Sequence, residues 1–83
     1  MYLESTDREF NPERLKIARL RRKMTYRKLA EQTGLSSKTI SKYENDGIDN
    51  PPSNDSLKKI SQALSYPVQF FYEEDIDEIP YYE

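Results

Sequence analysis

The chain has 83 residues, neither Cys nor His, and a formal net charge of −2. That describes one small domain with a modest core, no disulfide, no thiolate or imidazole metal ligand and no Cys- or His-based catalytic centre. No apolar run approaches the ~18 residues of a membrane span. Met1-Tyr2-Leu3-Glu4-Ser5-Thr6-Asp7 lacks the charged-then-apolar order of a signal peptide, so a cytoplasmic location is expected.

Residues 1–10 show no periodicity and read as a polar arm. Asn11-Pro12-Glu13 then predicts a helix start: Asn caps, Pro suits the first helical position, and an acid suits the positive end. This helix is expected over about 12–23, with Leu15, Ala18 and Ile17 inward. Thr25 caps a second helix, Tyr26 to Thr33, which Gly34 ends by accepting positive φ without steric cost. Ser36 or Ser37 opens a third, with Ile40 and Tyr43 inward. Asn45-Asp46-Gly47 breaks it, and a loop runs to Pro51-Pro52. Ser53 or Asn54 caps a fourth helix with Leu57, Ile60, Ala63 and Leu64 on one face. Ser65-Tyr66-Pro67 stops that helix, and Pro67 opens a short fifth ending near Tyr72. From Glu73 the acidic segment reads as a loose tail. The predicted class is therefore all-α with five helices: an arm at 1–10, a domain at 11–72 and a tail at 73–83.

Charge is segregated along this plan. Residues 11–45 carry ten Lys/Arg against Glu13, Glu31 and Glu44, whereas residues 46–83 carry Lys58 and Lys59 against nine acids. A basic half of this kind suits a polyanionic partner better than the total charge implies.

The most informative stretch is Tyr26 to Asn45. Counting Tyr26 as the first position, Leu29, Thr33, Leu35, Ile40 and Tyr43 fall at 4, 8, 10, 15 and 18, with Ala30 at 5 and Gly34 at 9. Two short helices crossing steeply need a small residue where they touch and positive φ in the turn; the other five fill the wedge. In these residues the chain resembles the Cro and phage-repressor helix-turn-helix family, the xenobiotic-response-element type. The resemblance covers about residues 14–72. Upstream, Leu15 and Arg19 match the first-helix pattern, and "TISKYEN" matches the end of the recognition helix. "PSNDSLKKISQALSYPVQFF" is similar to the family's fourth and fifth helices. Three departures stand out: Tyr26 replaces the usual Gln, Lys23 stands where Gly is common, and "NDGIDNPPS" is a longer, acidic loop.

The resemblance implies a five-helix lambda-repressor-like domain and a sequence-specific regulator of transcription that binds duplex DNA, a repressor by type, of bacterial or phage origin. It implies a structural salt bridge between Arg19 and Glu44. The third helix, about 36–45, would enter the major groove, with Ser36, Ser37, Lys38, Ser41 and Lys42 as base readers. Thr25, Tyr26, Arg27, Lys28 and Asn45 would serve as phosphate contacts. No Arg or Gln lies on the reading face, so shape, water and phosphate contacts are expected to carry much of the recognition. Arg14, Lys16, Arg21, Arg22 and Lys23 circle the first helix and cannot all face one duplex. A homodimer on a palindromic operator is the expected assembly, without cofactor, metal, catalytic residue or membrane. The alternative is an antitoxin or interaction module with a toxin or metalloprotease partner, because "ALSYPVQFF" is similar to regulators joined to, or encoded beside, a zinc metalloprotease. Phe70, Phe71, Tyr72 and the tail would form its contact surface.

Overall fold

The computed structural model describes residues 9–72. Four α-helices, α1 (Pro12–Arg21), α2 (Tyr26–Thr33), α3 (Ser37–Asp46) and α4 (Asn54–Leu64), are followed by a 3-10 turn over Val68–Tyr72. The class is all-helical as expected, with the fifth helix reduced to that turn. The expected tail, 73–83, lies outside the described residues.

Each α-helix starts on a side-chain cap. Glu13 N donates to Asn11 Oδ1 (3.0 Å), Lys28 N to Thr25 Oγ1 (3.0 Å), Thr39 N to Ser36 Oγ (3.0 Å) and Ser56 N to Ser53 Oγ (3.1 Å). Each such cap contributes on the order of 1 kcal/mol. The ends differ more from expectation. The α1 helix stops at Arg21 because Lys23 adopts a left-handed conformation, φ 58°. The first turn thus has the shape a Gly would give, carried by a Lys that strains to adopt it. Lys23→Gly is expected to raise stability by about 0.5–1 kcal/mol, read as an upward shift in Tm. The α2 helix ends as expected at Gly34, φ 82°, whose N–H donates to Ala30 O at 2.8 Å.

Gly47 matters for another reason. Its φ is −72°, open to any residue, but a Cβ there would overlap the Tyr43 carbonyl oxygen and lie 2.8 Å from Phe10 Cε2. Glycine lets the end of α3 touch the start of the domain.

The core comprises Phe10, Leu15, Ala18, Leu29, Ile40, Leu57, Ile60, Leu64 and Phe71. Two expectations are corrected by it. The boundary of the polar arm moves, because Phe10 is buried. Phe10 precedes the cap and Leu15 follows it by four, the placement of a hydrophobic staple. Phe71 cannot belong to a partner-binding surface: it is fully buried, and its carbonyl accepts from Asn11 N at 2.7 Å. Phe70 and Tyr72 remain half-buried.

Arg22 closes the far end of the fold. Its Nε donates to Leu64 O (2.6 Å) and its Nη2 to Ser65 O (3.3 Å), while the guanidinium stacks 4.5 Å from the Tyr66 ring. These bonds satisfy carbonyls that α4 leaves open where Ser65 turns left-handed, φ 60°. Arg14 stacks 4.4 Å over Phe70, and Phe70 lies 4.5 Å from Tyr66. Two of the five circling bases are thus engaged within the fold, Arg22 at the end of α4 and Arg14 on the 3-10 turn; Lys16, Arg21 and Lys23 stay exposed.

Candidate nucleic-acid interface

The turn between α2 and α3 is fixed from both sides. Gly34 supplies the positive φ, and Leu29 and Ile40 are buried beneath the crossing. Thr33 does more than fill the wedge between the helices. Its hydroxyl donates to Leu29 O (2.8 Å) and accepts from Leu35 N (3.2 Å), so one side chain closes α2 and holds the turn. A Thr directly before the turn Gly was the available signal.

Beneath α3 lies a charged cluster. Arg19 of α1 grips Glu44 of α3 in fork geometry, Nε to Oε2 at 2.6 Å and Nη2 to Oε1 at 3.2 Å. Arg19 Nη1 also donates to Met24 O at 2.8 Å, and the guanidinium sits 4.4 Å over the Tyr26 ring. The two side chains are 11% and 2% exposed, so this is an interior pair. The hydrogen bond to Glu44 raises the Arg19 pKa above its ordinary value against the opposing pull of burial, and the guanidinium stays charged throughout the range in which the protein folds. One cluster therefore ties together α1, the first turn, the start of α2 and the inner face of α3.

Tyr26 belongs to this cluster. Its hydroxyl donates to Glu44 Oε1 at 3.3 Å. A phosphate contact through that hydroxyl would have to exchange this bond to the Glu44 carboxylate, and the ring is held by Arg19. Ser36 is engaged likewise: its Oγ accepts from Thr39 N at 3.0 Å and donates to Thr39 Oγ1 at 2.8 Å, so a base contact would share the hydroxyl with the cap.

The remaining expected readers share one face with Asn45, an expected phosphate contact. Ser37, Lys38, Lys42 and Asn45 are exposed and Ser41 is half-exposed. Their spacing of i, i+1, i+4, i+5 and i+8 is one stripe of a helix, opposite the buried Ile40. Within it, Asn45 Nδ2 donates to Ser41 O (2.9 Å) and Ser41 Oγ (3.2 Å). At the start of α2, Thr25, Arg27 and Lys28 are exposed; the Arg27 side chain is 87% exposed and only loosely paired with Glu31, at 3.9 Å. The first-turn amides of α2 and α3 lie beside these residues, a setting that favours anions. Among the described residues no group of carboxylates could hold a metal ion, and no helix is long and apolar enough to cross a membrane.

A profile of the helix-turn-helix family matches residues 15–71. The chain belongs to the helix-turn-helix family of Cro and phage-repressor type, a class of DNA-binding transcription regulators. It is similar to the P22 c2 repressor protein, solved with synthetic operator 9T, at 25% identity and TM-score 0.69, covering 77% of this chain and 94% of that one. The N-terminal DNA-binding domain of SinR from Bacillus subtilis is similar at 28% identity and TM-score 0.68, covering 76% and 90%. Hydroxypropylphosphonic acid epoxidase from S. wedmorenis is similar at 25% identity and TM-score 0.64, but the match spans 75% of this chain and 32% of the epoxidase. That last likeness is to a third of an enzyme and carries no chemistry here. No curated protein sequence matches the chain.

Proposed function

We propose that the protein is a repressor that reads a palindromic operator as a homodimer, in the cytoplasm, with α3 in the major groove. The observation that carries this reading is the stripe of Ser37, Lys38 and Lys42, exposed on α3 with Ser41 half-exposed among them, while the opposite face is locked by Ile40 and Glu44. Serine hydroxyls and Lys ammonium groups bond base-edge acceptors, and a helix held rigidly from behind presents them in one register. Arg27, Lys28 and the Thr25 hydroxyl, with the first-turn amides of α2, are the phosphate contacts that set the docking angle. The P22 c2 repressor protein, solved with an operator, supports this assignment by its similarity over most of both chains. Two copies would address half-sites about one helical turn apart.

In-vitro selection from a random duplex library at about physiological salt tests this. Wild type is expected to enrich a palindrome. A Ser37→Ala/Lys38→Ala variant is expected to lose the preference at the bases facing the start of α3, with about 1–3 kcal/mol of discrimination lost per base pair affected. Enrichment of no sequence, with only weak and strongly salt-dependent binding, would sink the proposal.

A further inference from the structure

Asn45 was expected to hold a phosphate, yet its amide is turned back onto its own helix. The orientation of that amide is dictated by chemistry. The Ser41 carbonyl, 2.9 Å away, offers only lone pairs, so the amide must face it with its NH2 and not its oxygen. The same Nδ2 lies 3.2 Å from Ser41 Oγ, placing an N–H on one of the hydroxyl's lone pairs. A Ser inside a helix commonly donates its proton to the carbonyl one turn back. Ser41 makes no such bond among the described residues. Its proton is therefore available on the exposed stripe, while Asn45 Oδ1, the acceptor half of the amide, points away from Ser41. The two side chains together display a donor beside an acceptor.

We infer that Ser41 and Asn45 act as one composite reader of an adenine. This rests on the proposal that α3 lies in the major groove. In that groove adenine offers an acceptor, N7, next to a donor, the N6 amino group; guanine offers two acceptors, thymine a single acceptor and cytosine a single donor. Ser41 Oγ–H donates to N7, and the N6 amino group donates to Asn45 Oδ1. A lone Asn makes both bonds with its own amide; here the inward-facing Nδ2 is replaced by the serine hydroxyl it positions. Guanine is rejected because its O6 would face Oδ1, oxygen against oxygen. Asn45 is thus both a reader and the positioning residue for Ser41, and not a phosphate ligand.

The experiment compares wild type, Ser41→Ala and Asn45→Ala by the same selection, then measures binding to the selected site with 7-deazaadenine at the adenine concerned. Both positions are on the surface, so the variants keep the fold, and the base analogue needs no variant at all. The expected result is one A·T pair in the wild-type half-site whose preference both variants erase while the other positions persist. Removing N7 should weaken wild type about tenfold and leave Ser41→Ala unaffected. The slope of log affinity against log salt should be the same for all three proteins. Asn45→Ala weakening every sequence alike, with a slope smaller by about one, would make Asn45 a phosphate contact and overturn the inference. Loss of preference at two different positions would overturn it too. If wild type selects no sequence, the placement of α3 in the groove fails first, and this inference with it.

Discussion

Replacing Arg19 by Ala is expected to cost about 3–5 kcal/mol of folding stability, because it leaves Glu44 as an uncompensated interior charge. Glu44 is 2% exposed and has two hydrogen-bonding partners, Arg19 and Tyr26. Without the guanidinium, only the Tyr26 hydroxyl at 3.3 Å faces the carboxylate. A domain of this size holds roughly 3–10 kcal/mol in all, so the variant should sit near its unfolding transition in water. Urea denaturation followed by circular dichroism reads this directly: with a slope of about 1 kcal/mol/M, the midpoint should fall by about 3 M or the folded baseline should vanish. The double variant Arg19→Met/Glu44→Met should be more stable than Arg19→Ala, since removing both charges removes the desolvation cost along with the attraction. A loss below about 1 kcal/mol for Arg19→Ala would mean that the pair behaves as a surface salt bridge. The functional consequence follows from the geometry: the cluster holds the inner face of α3, so losing it frees the helix that carries the candidate readers.

The second large effect is expected at Phe71. Truncation to Ala should cost about 3–5 kcal/mol, as for other fully buried aromatic side chains. In a domain this small each kcal/mol lowers Tm by about 4–8 °C, so a thermal scan should show a drop on the order of 15 °C or more. Phe70→Ala should cost far less, because that ring is half-exposed and contacts Tyr66, Phe71 and the Arg14 guanidinium at the edge of the core. The pair of variants separates packing from partner contact. If Phe71→Ala kept its Tm and lost only the capture of a protein partner, the assignment of Phe71 to the core would be wrong.

Several features of this domain were legible in the chain because they depend on residues within about one helical turn of each other. Asn11, Thr25, Ser36 and Ser53 cap the helices they precede, each bonding an amide two or three residues on. Gly34 turns left-handed where the spacing of Leu29, Thr33, Leu35 and Ile40 required it. The exposed stripe on α3 follows from helical periodicity alone. Arg19 and Glu44 came instead through the family resemblance, since no local rule joins residues on separate helices.

What the tertiary structure decided involves partners far apart in sequence. Arg22 reaches across 42 residues to the Leu64 carbonyl, and a basic residue just past the end of a helix looks the same in the sequence whether it meets solvent or another helix end. Phe71 and Phe70 are adjacent and chemically identical; only the docking of the 3-10 turn on α1 buries one and leaves the other at the rim. Phe10 joins the core because Gly47 lets the end of α3 approach it. Tyr26 stands where a phosphate contact was expected, but its hydroxyl found Glu44, an acceptor from α3 that is already fixed and largely dry. In each case several partners were chemically acceptable. The choice fell to the one that folding brought into contact without water, where a hydrogen bond or a packed ring is worth most.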